Sequence, residues 1–253
     1  PENLSGTQST ALTRTQLARL IWPLVALILG AQLFAAAPYR RGLYLLLALN
    51  GVALTMFGIA QRLTWNEKLY WVFPTPHHGQ PFASFWNRNH AAGYLNFCLA
   101  AAIGLLFAGI RQSPSEWWPP RDNEDRPTLR AALVQGLLVL IPIGVIATAS
   151  RGGILAAAVA FAVVLAFSIR SRQTSVVRLL TTSVVVGSIL AASLGMWQLA
   201  RARFAGFSLA AATEEGRWRH WRDMLPALSD VWHTGTGLGT YRYANRPYQN
   251  HAS

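Results

Sequence analysis

The sequence predicts an all-α membrane protein, a polytopic bundle of transmembrane helices. Three observations carry that reading: a composition poor in charge, six long apolar runs, and connecting segments in which basic residues alternate between dense and sparse. The chain of 253 residues is 52% hydrophobic and only 13% charged, against about 25% charged in an ordinary soluble domain. Its mean hydropathy is +0.27.

A membrane-crossing helix needs about 20 largely apolar residues, and the segments 20–37, 42–60, 91–110, 131–149, 153–169 and 179–200 qualify. None of them holds a charged residue. All contain Gly, Ala, Ser or Thr, which let helices approach closely in lipid. Pro23 and Pro142 are kinks that a span tolerates. Gln32, Asn50, Asn96 and Gln135 read as hydrogen-bonding positions between helices, with a functional role as the second reading. The expected organisation is a transmembrane region over 1–200 and the start of an outer-face helical loop domain over 201–253. The opening "PENLSGTQSTALTRTQ" lacks the apolar core of a signal peptide. The chain begins without Met and stops in mid-pattern at "NHAS", so a fragment of a longer protein is expected.

The connections set the orientation. Nine basic residues fall in the odd-numbered connections: Arg40 and Arg41, then Arg111, Arg121, Arg126 and Arg130, then Arg170, Arg172 and Arg178. Four fall in the even-numbered ones: Arg62, Lys68, Arg88 and Arg151. The positive-inside rule places the nine in the cytoplasm, which puts 201–253 on the outer face. That last segment still carries seven arginines, and an anionic ligand is a natural reason. The net charge is +12, and Lys68 is the sole lysine. Arginine suits forked contacts to phosphate oxygens, so the charge points to lipid or diphosphate head groups. No nucleic-acid partner is expected, because no RNA- or DNA-binding motif accompanies it. Within 201–253, Trp218, Trp221, Leu225 and Leu228 fall at helical spacing, as in an amphipathic helix on the outer membrane surface.

Four outer-face stretches are candidates for chemistry. In "SFWNRNHAAGYL", Asn87, Arg88, Asn89 and His90 sit directly against an apolar run; Asn caps helices well, and Arg88 is a candidate ligand contact. In "TASRGG", Arg151 lies between two apolar runs with almost no loop. It reads either as a snorkelling helix-end arginine or as an anion site, with Gly152 and Gly153 leaving backbone exposed at a helix N-terminus. In "EEGRWRHW", Arg217 opens the amphipathic helix. In "HTGTGLGTYRYANRPYQNHAS", His251 is the candidate base, since imidazole titrates near neutral pH; "GTGLG" is a turn rather than a dinucleotide fingerprint. The single Cys98 excludes an intrachain disulfide, and no metal or cofactor pattern is present, so neither is expected.

In their order and spacing, "FWNRNHAAGYL", "ATASRGGILAA", "EEGRWRHWRDML" and "HTGTGLGTY…NHAS" resemble the O-antigen ligase/O-antigen polymerase superfamily of bacterial inner-membrane glycosyltransferases, over roughly 80–253. The resemblance implies a GT-C-like helical fold with its active face in the periplasm. It implies transfer of glycan from an undecaprenyl-diphosphate donor to a hydroxyl acceptor, either lipid A–core or a growing polysaccharide, without a metal. It maps the diphosphate-binding arginines onto Arg151 and Arg217 and the base onto His251; Arg88, on the same outer face, is a third candidate for holding the diphosphate. Asn87, Asn89 and His90 are supporting residues. Ligase, O-antigen polymerase and exopolysaccharide polymerase stay unseparated. The rival reading is a flippase-type transporter of lipid-linked glycans, which would place its charges along a cavity within the spans.

Overall fold

The computed structural model describes residues 9–74, 81–110, 126–205, 216–233 and 235–248; the side chains of 109–110, 126–130, 197, 199, 200, 203 and 216–220 lie outside that description. The elements are α1 (Thr10–Leu33), α2 (Ala37–Leu63), a short antiparallel hairpin of β1 (Lys68–Leu69) and β2 (Phe73–Pro74), α3 (Arg88–Ile110), α4 (Arg126–Ala147), α5 (Arg151–Arg170), α6 (Thr174–Ser193), α7 (Met196–Ala205), α8 (Gly216–Val231) and α9 (Tyr241–Ala244). A single 3-10 turn follows at Arg246–Tyr248. Among the described residues the protein is all-α apart from the hairpin and an isolated bridge between Phe82 and Phe85. Helices α1, α2, α3, α5 and α6 are long and apolar enough to cross a membrane, and α4 adds the shorter apolar stretch Ala131–Ala147.

Helix limits follow local chemistry as well as hydropathy. α1 starts at Thr10, ahead of the apolar run, because the Ser9 hydroxyl accepts the Leu12 amide at 3.3 Å and caps it. α2 opens on a proline-bearing first turn, where the missing amide is no loss. The apolar run 179–200 is carried by two helices. α6 ends when Leu194 and Gly195 donate to the Leu190 and Ala192 carbonyls, and Gly195 turns the chain with φ +68° before α7.

The chain divides into two compact units. The larger, Ala36–Gly206, holds α2–α7. Within it α4 is the hub, touching α2, α3, α5, α6 and α7. Leu95, Cys98, Leu99, Ala102 and Leu105 of α3 meet Leu138, Ile141 and Val145 of α4 in one buried cluster. α2 offers a stripe of small side chains, Ala48, Gly51, Thr55 and Gly58, to the interior. Close packing of this kind holds helices together where lipid removes the hydrophobic drive. Polar residues add to it. Tyr94 Oη donates to Asn50 Oδ1 at 2.9 Å, Asn96 Nδ2 to the Gly153 carbonyl at 3.0 Å, and Gln135 Nε2 to Ser183 Oγ at 2.9 Å. Bonds of this class contribute on average about 0.6 kcal/mol each in membrane proteins.

The smaller unit contains Pro1–Ala35 and Phe207–Ser253, and so α1, α8, α9 and the 3-10 turn. The Gln16 side chain of α1 fills the space a Cβ on Gly239 would need. Tyr248 Oη donates to Asp230 Oδ2 at 2.7 Å and ties the 3-10 turn to α8. That hydrogen bond, before burial and the carboxylate's charge, holds the Tyr248 phenol above its ordinary titration range.

The closest approach of α2 to α4 is testable. Gly144 leaves no room for a Cβ, since one there would meet the Thr55 side chain, whose Cγ2 would lie only 3.0 Å away. Thr55 Oγ1 is buried without a hydrogen-bond partner. Gly144→Ala is expected to destabilise the protein in detergent by about 1–3 kcal/mol through overpacking. Adding Thr55→Ala should restore part of the loss, since Thr55 gives up no hydrogen bond. Thermal melts that show additive losses in the double variant would contradict this packing.

Candidate functional site

One end of the larger unit collects the C-termini of α2 and α4 and the N-termini of α3 and α5. Its construction begins with Asn87. The Asn87 side-chain oxygen accepts the Asn89 amide at 2.9 Å, and its carbonyl accepts those of His90 and Ala91 at 3.0 and 3.1 Å. Asn87 is thus the cap of α3, and the geometry is local. Arg88 takes the first position of α3 and is half-buried, with Asn89 and His90 exposed.

The second element is the turn 148–150, which joins α4 to α5 and is fully buried. A buried turn must satisfy its own polar groups, and this one does so through side chains. Thr148 Oγ1 donates to the Val145 carbonyl at 2.7 Å and accepts the Ser150 amide at 3.2 Å. Ala149 adopts a left-handed conformation, φ 52°, a strain of about 1–2 kcal/mol for a residue with a Cβ. Ser150 then caps α5: its Oγ accepts the Gly153 amide at 3.3 Å. The same hydroxyl donates to Asn89 Oδ1 at 2.8 Å. This bond joins "NRNH" to "SRGG" across 61 residues of sequence. Arg151, half-buried, is the first residue of α5.

The two glycines after Arg151 differ. A Cβ on Gly152 meets nothing within 4 Å, whereas one on Gly153 would run into the Ala92 Cβ of α3. Gly153 is therefore a packing glycine, and its carbonyl is held by Asn96. The expectation that both glycines leave backbone exposed applies to Gly152 alone, because α3 closes over Gly153.

Sequence reasoning missed three residues here. Arg62, in the last turn of α2, donates from Nη1 to the Ala147 carbonyl at 3.0 Å and covers the C-terminal end of α4. Ser150 is the bridge just described, and its only sequence signal is cap spacing before the glycines. Buried Gln61, with its amide turned to suit its neighbours, donates from Nε2 to the Ala83 carbonyl at 3.2 Å and accepts the Tyr70 amide on Oε1 at 2.6 Å. It fastens the α2–α3 connection, where Tyr70, Trp71 and Ala83 also have positive φ. Arg62, Arg88 and Arg151 thus converge on one end of the bundle, where Glu67 is the carboxylate among the described residues. The opposite end carries Arg40, Arg41, Arg170, Arg172 and Arg178.

Of the other sequence candidates, Arg217 occupies the second position of α8, with its side chain outside the described residues, and His251 lies outside them altogether. Among the described residues, no group of three or more His, Cys, Asp or Glu side chains is arranged to hold a metal ion.

The glycine pair gives a sharp test of this construction. Gly153→Ala is expected to separate α3 from α5 and lower thermal stability by about 1–3 kcal/mol. Gly152→Ala should leave the melting temperature within the scatter of the wild type, or raise it slightly through helix propensity. Equal effects of the two substitutions would contradict the close approach at Ala92.

The comparisons with known proteins bear on the same segment. Residues 136–253 match the family model described as O-antigen ligase. Neither a curated protein nor a solved structure matches the chain. The matched segment starts within α4 and includes the turn, Arg151, α8 and the positions of Arg217 and His251. The match covers somewhat less than half of the chain, and over that segment the chain is similar to the O-antigen ligase family.

Proposed function

We propose that the protein is a glycosyltransferase of the bacterial inner membrane, with the Asn89–Ser150–Arg151 end facing the periplasm. It moves a glycan from an undecaprenyl-diphosphate donor to a hydroxyl on lipid A–core or on a growing polysaccharide. The family match supports ligase- or polymerase-type activity in general. The observation that carries the finer reading is the position of Arg151. It stands at the first residue of α5, on a cap anchored to α3, with Arg62 and Arg88 at the same end of the bundle.

The reaction needs little beyond such groups. A sugar diphosphate has its leaving group in place, so the acceptor oxygen forms its bond to the anomeric carbon as the bond from that carbon to the diphosphate oxygen breaks. Negative charge grows on the departing undecaprenyl diphosphate. Arg151 meets it with forked hydrogen bonds, stronger at a partly desolvated membrane edge than in water. Arg88 is a second donor, and the resemblance gives Arg217 the same task. His251 takes the acceptor's proton. A single displacement inverts the anomeric configuration and requires no metal.

The test is transfer by the purified full-length protein from an undecaprenyl-diphosphate glycan to candidate acceptors, with EDTA present. Transfer is expected to persist in the chelator. Arg151→Ala should lower the rate roughly 10²–10³-fold, as loss of a donor to developing charge does elsewhere. Arg151→Lys should recover part of it, since it keeps the charge and loses the fork. Unchanged rates in both variants would remove Arg151 from the site, and retained configuration in the product would exclude the single displacement. Movement of the donor across vesicles with no covalent product would favour the transporter instead.

A further inference from the structure

The amphipathic helix α8 carries an apolar stripe that the glycosyl-transfer chemistry does not use. Trp221, Leu225, Leu228 and Trp232 recur at helical spacing, the last just past the C-terminus, and are 63%, 65%, 67% and 71% exposed. At 100° per residue they span an arc of about 60°. The helix uses a different face to hold its own unit. Ala227 is buried there, and Met224 and Val231 are half-buried. Asp230, which accepts the Tyr248 hydroxyl, projects nearly opposite the stripe. The orientation of the stripe is therefore fixed by contacts on the adjacent face of the helix and by Asp230 opposite it.

The same unit holds a candidate membrane-crossing helix. α1 is long and apolar enough to cross a membrane, and none of its residues is buried within the protein. Gln16, six residues along α1, fits against Gly239, about one turn before the apolar run that begins at Leu20. Short stretches of chain link Gly239 through α9 to Tyr248, and Tyr248 is bonded to α8. α8 is thus tethered at the level where a crossing helix leaves the hydrocarbon. Its flank and neighbours are cationic: Arg222, Arg242 and Arg246 are all exposed, as suits anionic head groups. Tryptophan at both ends of the stripe is the composition of a bilayer interface.

We propose that α8 lies in the plane of the outer leaflet, with Leu225, Leu228 and Trp232 in the acyl boundary and the neighbouring arginines at the head groups. The occupant of the stripe is lipid. This holds whatever glycan the protein transfers, because it rests on the membrane helix in the same unit and not on the catalytic assignment.

The experiment uses full-length protein carrying Cys98→Ala, which removes the sole cysteine of residues 1–253, with any cysteine elsewhere in the chain replaced likewise, reconstituted into vesicles of phosphatidylethanolamine with a minority of phosphatidylglycerol. Nitroxide labels are placed in separate chains at Leu225→Cys, Leu228→Cys and Trp232→Cys, with exposed Ser229→Cys as the control on the flank. Collision with oxygen, which partitions into lipid, is compared with collision with a water-soluble nickel chelate. The three stripe positions should favour oxygen over nickel and lie deeper than 229. High nickel accessibility along the stripe would put it in water and overturn the proposal. Low accessibility to both agents would mean that protein covers it, a second copy or another part of a longer chain, and would overturn it equally. Three independent stripe positions keep the result decisive if one variant fails to fold.

Discussion

The hydrogen bond from the Ser150 hydroxyl to the Asn89 side chain, 2.8 Å long, is the contact on which the candidate-site end of the larger unit depends. It sets the caps of two helices side by side. Ser150 can make it only because the turn before it is fully buried and internally satisfied, and α3 can come close enough only because Gly153 has no side chain where Ala92 stands. Asn96 then holds the Gly153 carbonyl one turn further in. The result is that the positive dipole ends of α3 and α5, each equivalent to about half a charge, point the same way at the same level. The negative end of α4 lies between them in sequence, and there Arg62 sits on the Ala147 carbonyl. The C-terminal dipole ends of α2 and α4 offset those of α3 and α5 at this end, so its bias toward anions comes from the arginine side chains.

Some polar groups inside the unit are left without partners. Thr55 Oγ1 and Asn96 Oδ1 are buried with none. Asn96 spends its amide on Gly153 and leaves its oxygen unpaired, which costs less than an unpaired donor because carbonyl oxygens are more often under-satisfied. Ala149 adds left-handed strain at the turn. These costs gather around Gly144, Gly153 and the turn between α4 and α5, where helices come closest. Strain of that sort persists only where the surroundings over-determine it, and here four side-chain hydrogen bonds do so.

Local chemistry was legible in the sequence and long-range pairing was not. Hydropathy located the helices from α1 to α6 because lipid contact demands apolar side chains over a fixed length. It missed where α1 begins, since Thr10–Arg19 is helical by capping rather than by burial, and it ran α6 and α7 together because Gly195 is apolar enough to disappear from the average. Asn87 could be read as a cap because its partners are two to four residues away. Arg62 looked like a loop charge because its partner, Ala147, is 85 residues distant. Gly152 and Gly153 were indistinguishable as letters, and only the position of Ala92 separates them. The α8 stripe was half legible: its spacing showed in the sequence, but which face the unit would cover did not.

The choice between a snorkelling arginine and an anion site at Arg151 turns on helix polarity. α5 carries an arginine at each end. Arg170 lies in the last turn, where the dipole favours a cation by about 0.3–1 kcal/mol. Arg151 lies in the first, where the same field opposes it. α2 follows the favourable pattern with Arg62 in its last turn, while Arg88 opens α3 and repeats the unfavourable one. A cation needed only to mark the membrane edge has no reason to sit at N1 when the cost falls away within a turn of the helix end. Two helices accept that cost at the same end of the bundle, beside a turn already under strain. A diphosphate reverses the sign of the balance, because helix ends and guanidinium groups then attract the same charge. With the proposed diphosphate donor in place, the first-turn arginines of α3 and α5 and the amide ends of those helices would act on the same charge in the same direction.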